Sequence, residues 1–110
     1  MNKISGTYCA SLTPFNSDYS INKNLLLEHC NNLLSRSVDG IAIFGTTGEA
    51  NSLSIEEKLD AINYLIENRI DSKKLLPGTG LTSIKDTVYF TKAVSKMNVR
   101  GVLMLPPFYY

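Results

Sequence analysis

Residues 40–52 read GIAIFGTTGEANS, and they set the architecture of everything around them. Ile41-Ala42-Ile43-Phe44 is a short apolar run bounded by glycines, the pattern of a strand buried on both faces of a parallel sheet. Gly45-Thr46-Thr47-Gly48 then turns the chain. Two glycines around two hydroxyls let the backbone approach a ligand closely while presenting N–H and O–H donors, which suits a carboxylate or phosphate oxygen. A tight strand-to-helix turn without a ligand would use the same residue types. Ser54 opens a helix, with Glu57 three residues on as its capping-box partner, and Ile55, Leu59, Ile62 and Ile66 fall on one face. The unit is strand, polar turn, helix.

Before this unit, residues 7–12 (TYCASL) read as a first strand. Thr13-Pro14-Phe15 ends it, because proline lacks a donor and biases Thr13 away from helix. After a loop over residues 16–20, a helix is predicted from about Asn22 to about Ser37, with Leu26, Cys30, Leu33 and Leu34 on its apolar face. Beyond the unit, Leu75-Leu76-Pro77 leads into Gly78-Thr79-Gly80 as a short third strand, although proline is unusual within a sheet. The run from Gly78 to Ser83 invites comparison with the dinucleotide fingerprint GxGxxG, but the third glycine is missing. A helix over about residues 83–97 carries Phe90, Ala93, Val94 and Met97 on one face, with Ile84 and Val88 off that stripe. Val102-Leu103-Met104-Leu105 makes a fourth strand, followed by Pro106, Pro107, Phe108, Tyr109 and Tyr110.

Composition narrows the function classes. Eleven basic against ten acidic side chains give a net charge of +1 in 110 residues, with no basic stripe, so the electrostatic footprint of a nucleic-acid binder is missing. No apolar run approaches the roughly 20 residues of a membrane span, and no apolar stretch follows the first residues as in a secretory leader. A cytoplasmic location is the default expectation. Cys9 and Cys30 form no metal or redox spacing with each other or with His29, the only histidine, so no metal is expected and the thiols read as reduced and inert.

Strand-helix units at spacings of roughly 25 to 35 residues indicate successive βαβ crossovers in a parallel sheet. Every strand then ends on one rim, and the turns TPF, GTTGE, GTG and PPFYY converge there, where α/β barrels and open sheets bind ligands. A fourth strand without a following helix leaves a sheet face and an edge uncovered. Residues 1–110 are therefore expected to be the N-terminal part of a single larger domain.

TPF, the run from Gly45 to Glu57, the GTG at Gly78 to Gly80 and the terminal PPFYY together resemble the dihydrodipicolinate synthase and N-acetylneuraminate lyase family, over the whole chain. The resemblance implies the N-terminal half of a (β/α)₈ TIM barrel: three βα units and a fourth strand. It also implies a class I, Schiff-base-forming lyase or aldolase, nearest to the dihydrodipicolinate synthase-like members, that condenses pyruvate or a related 2-oxo acid with an aldehyde and needs no cofactor. An N-acetylneuraminate lyase or a 2-keto-3-deoxy sugar-acid aldolase of the same family is the alternative. Such proteins are homo-oligomers, dimers or tetramers. By the same likeness Thr47, with its backbone N–H, holds the carboxylate of the 2-oxo acid, and Thr46 links two tyrosine hydroxyls in a proton relay. Tyr109 looks like the tyrosine that reaches a neighbouring subunit's site; an amphipathic rim residue is the other reading of it. Glu49 reads as bonding the turn's own backbone rather than as a general base.

The family's Schiff-base lysine and its second catalytic tyrosine lie beyond Tyr110. Lys58, Lys85, Lys92 and Lys96 all sit on predicted outer helices and cannot replace that lysine, so the chain alone is expected to be inactive. Phe108, Thr82 and Asp86 stand where lysine-inhibited synthases carry Tyr, Asn and Glu, so the likeness does not extend to feedback by lysine. Two readings of other classes compete: a phosphate- or nucleotide-binding α/β domain cradling its ligand in GTTG and GTG, and a non-catalytic half-barrel serving as an assembly module. Against the first, neither turn carries the Lys-Ser/Thr pair of a P-loop.

Overall fold

A computed structural model describes residues 3–106. Phe108 and Tyr109, and with them most of the terminal PPFYY motif, lie outside the described residues. The elements follow in the order β1 (Tyr8–Ala10), α1 (Lys23–Leu34), β2 (Gly40–Ala42), α2 (Ile55–Glu67) and α3 (Ile84–Ser95), with single turns of 3₁₀ helix at Ala50–Ser52 and Ser72–Lys74.

β1 and β2 pair in parallel, Cys9 opposite Ile41. Two further segments extend the array in the same sense through single parallel bridges, Ile41 to Leu75 and Gly78 to Leu103. The expected third and fourth strands are thus present as parallel neighbours but are not continuous ladders. Pro77 explains part of this. Toward β2 the donors are Leu76 (to the Ile41 carbonyl, 2.9 Å) and Gly78 (to the Ile43 carbonyl, 2.8 Å), so that side is complete without the proline nitrogen. Toward the fourth segment Pro77 serves as an acceptor from the Leu103 N–H at 2.9 Å, and its missing donor interrupts the ladder there.

The helices start where their caps dictate. Asn22 accepts from the Leu25 N–H, Ser83 from the Asp86 N–H, and Ser54 and Glu57 form the reciprocal capping box. α1 ends at Leu34, three residues short of the expected Ser37, because Ser37 takes a positive φ of 69°. β2 likewise stops before Phe44, whose φ of 59° already turns the chain.

The core lies between the parallel array and the helices. Ile41, Ile43, Leu75, Leu26, Cys30, Ala61, Ile62, Leu65, Phe90 and Val94 are fully buried. Burial pushes the Cys30 thiol up to about 12, which leaves it protonated and unreactive at neutral pH. On α3 the buried stripe is Thr87, Phe90 and Val94, while Ile84 and Val88 are exposed, as their position off that stripe predicts. No helix among the described residues is long and apolar enough to cross a membrane.

Candidate active site

The four strand ends meet at one cavity of about 240 Å³. It is lined by Ala10 from β1, Ala42 and the Phe44 to Thr47 turn after β2, Gly78 and Gly80 from the third segment, and Leu103 to Leu105 from the fourth. Of the four turns expected to converge on a single rim, GTTGE and GTG do so; none of the TPF residues lines this cavity, and most of PPFYY lies outside the described residues.

The turn itself is wound tightly. The Gly48 and Ala50 N–H groups donate to the Gly45 carbonyl at 3.1 and 3.2 Å, and the Glu49 N–H donates to the Thr46 carbonyl at 3.0 Å. Phe44 and Glu49, at its two ends, both hold the left-handed conformation with φ of 59° and 56°. Non-glycine residues there persist only where their surroundings over-determine them, a condition common at binding sites. Thr46 and Thr47 are exposed on the turn and face the cavity. Among the described residues, neither the Thr47 hydroxyl nor its N–H has a hydrogen-bond partner, so both donors are available to a ligand oxygen. No charged side chain lines the cavity among the described residues; its polar groups are Thr46, Thr47, Asn51 and the turn backbone.

Two expectations need correction. The Glu49 side chain makes no capping hydrogen bond, so the residue shapes the turn through its backbone alone. Lys58 is on α2 as expected, but it is buried at 0% exposure, and its Nζ has no hydrogen-bond partner among the described residues. Its ammonium lies 5.4 Å from the centroid of the Phe90 ring. Burial lowers its pKa, with the Glu57 carboxylate opposing the shift.

The glycines of GTG have a packing reason to be glycines. A Cβ on Gly78 would meet the Phe44 carbonyl oxygen at 2.4 Å, and one on Gly80 would meet the Leu105 nitrogen at 2.8 Å. Close approach of neighbouring strands accounts for them without a phosphate. Thr82 and Asp86 line a separate cleft of about 520 Å³ with Glu56, at the N-terminal ends of α2 and α3.

Residues 3–110 match the family model described as the dihydrodipicolinate synthetase family. The chain belongs to that family. Among sequence relatives, it is 35% identical over 106 residues to the 4-hydroxy-tetrahydrodipicolinate synthase of Endomicrobium trichonymphae, a match covering 96% of this chain and 36% of the relative. Among solved structures, the dihydrodipicolinate synthase of Agrobacterium tumefaciens superposes with a TM-score of 0.91 at 28% identity, covering 96% of this chain and 37% of that one. A variant of the 2-keto-3-deoxygluconate aldolase of Sulfolobus solfataricus gives 0.84 at 28% identity, covering 96% and 35%. The chain thus spans little more than a third of the length of the dihydrodipicolinate synthetase family members it matches.

Proposed function

We propose that this chain supplies the substrate-carboxylate turn of a Schiff-base-forming, pyruvate-dependent carbon–carbon lyase of the 4-hydroxy-tetrahydrodipicolinate synthase kind, as the N-terminal part of a (β/α)₈ barrel. One observation carries the reading: the Thr47 N–H and hydroxyl have no partner among the described residues on a tightly wound turn that faces an uncharged cavity at the common end of parallel strands. Such donors bind a carboxylate by charge-assisted hydrogen bonds, and these are worth more in a dry cavity than in water.

In this reading the carboxylate of pyruvate lies on Thr47, which fixes the 2-oxo carbon against an amine brought from the remaining strands. The amine adds to that carbon, the carbinolamine loses water, and an imine forms. Each step moves a proton on or off oxygen or nitrogen. Thr46, with Tyr109 and a second tyrosine, moves those protons through hydroxyls without placing a fixed charge in the site. Tyr109 belongs to a neighbouring subunit's site, which makes the enzyme a homo-oligomer. The similarity to a 2-keto-3-deoxygluconate aldolase supports a second reading, a sugar-acid aldolase with the same imine and another aldehyde.

The test is reductive trapping. Borohydride converts an imine to a stable amine, so with pyruvate it should label one lysine in a polypeptide carrying residues 1–110 together with the remaining barrel strands, hereafter the complete barrel. The same treatment should leave the isolated chain unlabelled. A trapped adduct on any lysine within residues 1–110 would refute the assignment.

A further inference from the structure

Thr13 has no role in the scheme above, yet it ties the carboxylate turn to the rest of the fold. It is buried at 6% exposure, three residues beyond the end of β1, and its Oγ1 donates to the Gly48 carbonyl at 2.7 Å across 35 positions of sequence. The backbone has no slack at that point. A Cβ on Gly48 would come within 3.0 Å of the Ser11 carbonyl oxygen and 3.1 Å of Thr13 Oγ1. On the opposite side, the Phe44 carbonyl is pressed against Gly78, whose N–H donates to the Ile43 carbonyl at 2.8 Å. At these two contacts the chain takes left-handed conformations, at Phe44 itself and at Glu49 directly after Gly48. A turn held in disfavoured conformations relaxes when a tie is cut.

We infer that Thr13 is a positioning residue for this turn: its hydrogen bond to Gly48 holds the Thr47 donors where a 2-oxo-acid carboxylate meets them. The inference rests on the reading of Thr47 in the proposed function. Thr13 lines no part of the cavity. Its effect is on the backbone that carries the donors, and the Thr-before-Pro shortly after β1 is the sequence feature that supplies it.

Thr13→Val in the complete barrel keeps the shape of the side chain, removes the donor and leaves a buried carbonyl unpaired, whereas Thr13→Ser keeps the donor. Two measurements separate positioning from packing: amide hydrogen exchange over residues 46–49, and pyruvate kinetics. Thr13→Val should speed exchange in the turn and raise the pyruvate KM, each by about tenfold, with kcat within about twofold, and Thr13→Ser should restore both. Unchanged exchange and KM in Thr13→Val, or equal impairment in Thr13→Ser, would overturn the inference. If Thr13→Val does not fold, Thr13→Ser decides alone: wild-type exchange and KM uphold the role, and loss of either overturns it. A complete barrel that forms no trapped adduct with pyruvate defeats the proposed function instead, and the exchange comparison then still decides whether Thr13 holds the turn.

Discussion

Gly45 and Gly48 frame the same turn and answer to different constraints. A Cβ on Gly45 would meet nothing within 4 Å, and Gly45 lines the cavity, so neither packing nor backbone strain demands a glycine there. What its missing side chain leaves is room for a ligand. A Cβ on Gly48 would meet the Ser11 carbonyl oxygen at 3.0 Å, Thr13 Oγ1 at 3.1 Å and the Phe44 nitrogen at 3.2 Å, two of which are backbone atoms that cannot swing away. In the complete barrel, Gly45→Ala should leave stability unchanged or raise it by about 0.4–1 kcal/mol, because it narrows only the unfolded ensemble. It should nevertheless raise the pyruvate KM, since its methyl group occupies the cavity. Gly48→Ala should destabilise by about 1–3 kcal/mol, as overpacking does. Thermal melts and pyruvate kinetics on the two variants check this, and the reverse pattern would mean that the ligand approaches from the Gly48 side. The sequence marks both glycines as special and cannot tell them apart, because the difference lies in contacts with Ser11 and Thr13, more than 30 positions away in the chain. Thr46 and Thr47 were legible because two hydroxyls between glycines after an apolar run is a local pattern. Thr13 was not, because its partner is long-range.

At the scale of elements, what was legible was again what is local. The Ser54–Glu57 capping box spans three residues and sits where the spacing puts it. The apolar stripe of α1 and the off-stripe Ile84 and Val88 follow from periodicity, whereas the buried face of α2 is Lys58, Ala61, Ile62 and Leu65, rotated from the expected Ile55, Leu59, Ile62 and Ile66, of which only Ile62 is fully buried. The extent of the third and fourth strands was not legible, since a parallel ladder depends on which neighbour supplies each donor. Lys58 is the clearest failure of the pattern: a charged residue on an outer helix reads as solvated, but α3 closes over it. Its burial has a measurable consequence. The folded-state pKa lies below the unfolded value of about 10.4, so as pH falls through that value the unfolded chain takes up a proton that the folded chain does not. Stability therefore drops as pH falls toward the folded pKa and stays reduced below it. The position of Lys58 in the first turns of α2, at the positive end of the helix dipole, adds to the cost of a cation there. Lys58→Met keeps an apolar stem against Phe90 and removes the unpaired amine. In the complete barrel it should be more stable than wild type by about 1–3 kcal/mol at pH 7, with the advantage shrinking toward pH 10. Denaturant melts at both pH values test this, and a wild type that is the more stable at pH 7 by a margin independent of pH would show that the amine is paired.

For the molecule as a whole, several of the apolar side chains that remain exposed stand at the two margins of the parallel array. Beyond β1, Leu12 is 62% exposed; at the other margin Met104 and Leu105 are 54% and 47% exposed beside Ile84 at 72% and Val88 at 46% on α3. Ile84, Val88, Met104 and Leu105 share an apolar groove of about 290 Å³. In a chain spanning 36% of a family member's length, these are the margins that further strand-helix units of a barrel would cover. Exposed apolar surface beside unpaired strand edges drives association. The isolated 110-residue chain should therefore sediment as a concentration-dependent mixture and melt without a sharp transition. The face responsible can be identified by one pair of substitutions whose effect changes sign with context. Ile84→Gln with Val88→Gln replaces side chains that touch little in the isolated chain, so it should shift the distribution toward monomer. In the complete barrel the same pair would lie beneath the next helix, and burying two unpaired amides there should cost about 2–6 kcal/mol of stability. Sedimentation of the isolated chain and denaturant melts of the complete barrel give the two halves of the comparison. A monodisperse wild-type monomer with a cooperative melt, or a Gln pair harmless in both contexts, would mean that nothing docks on α3 and that the array closes at its β1 margin instead.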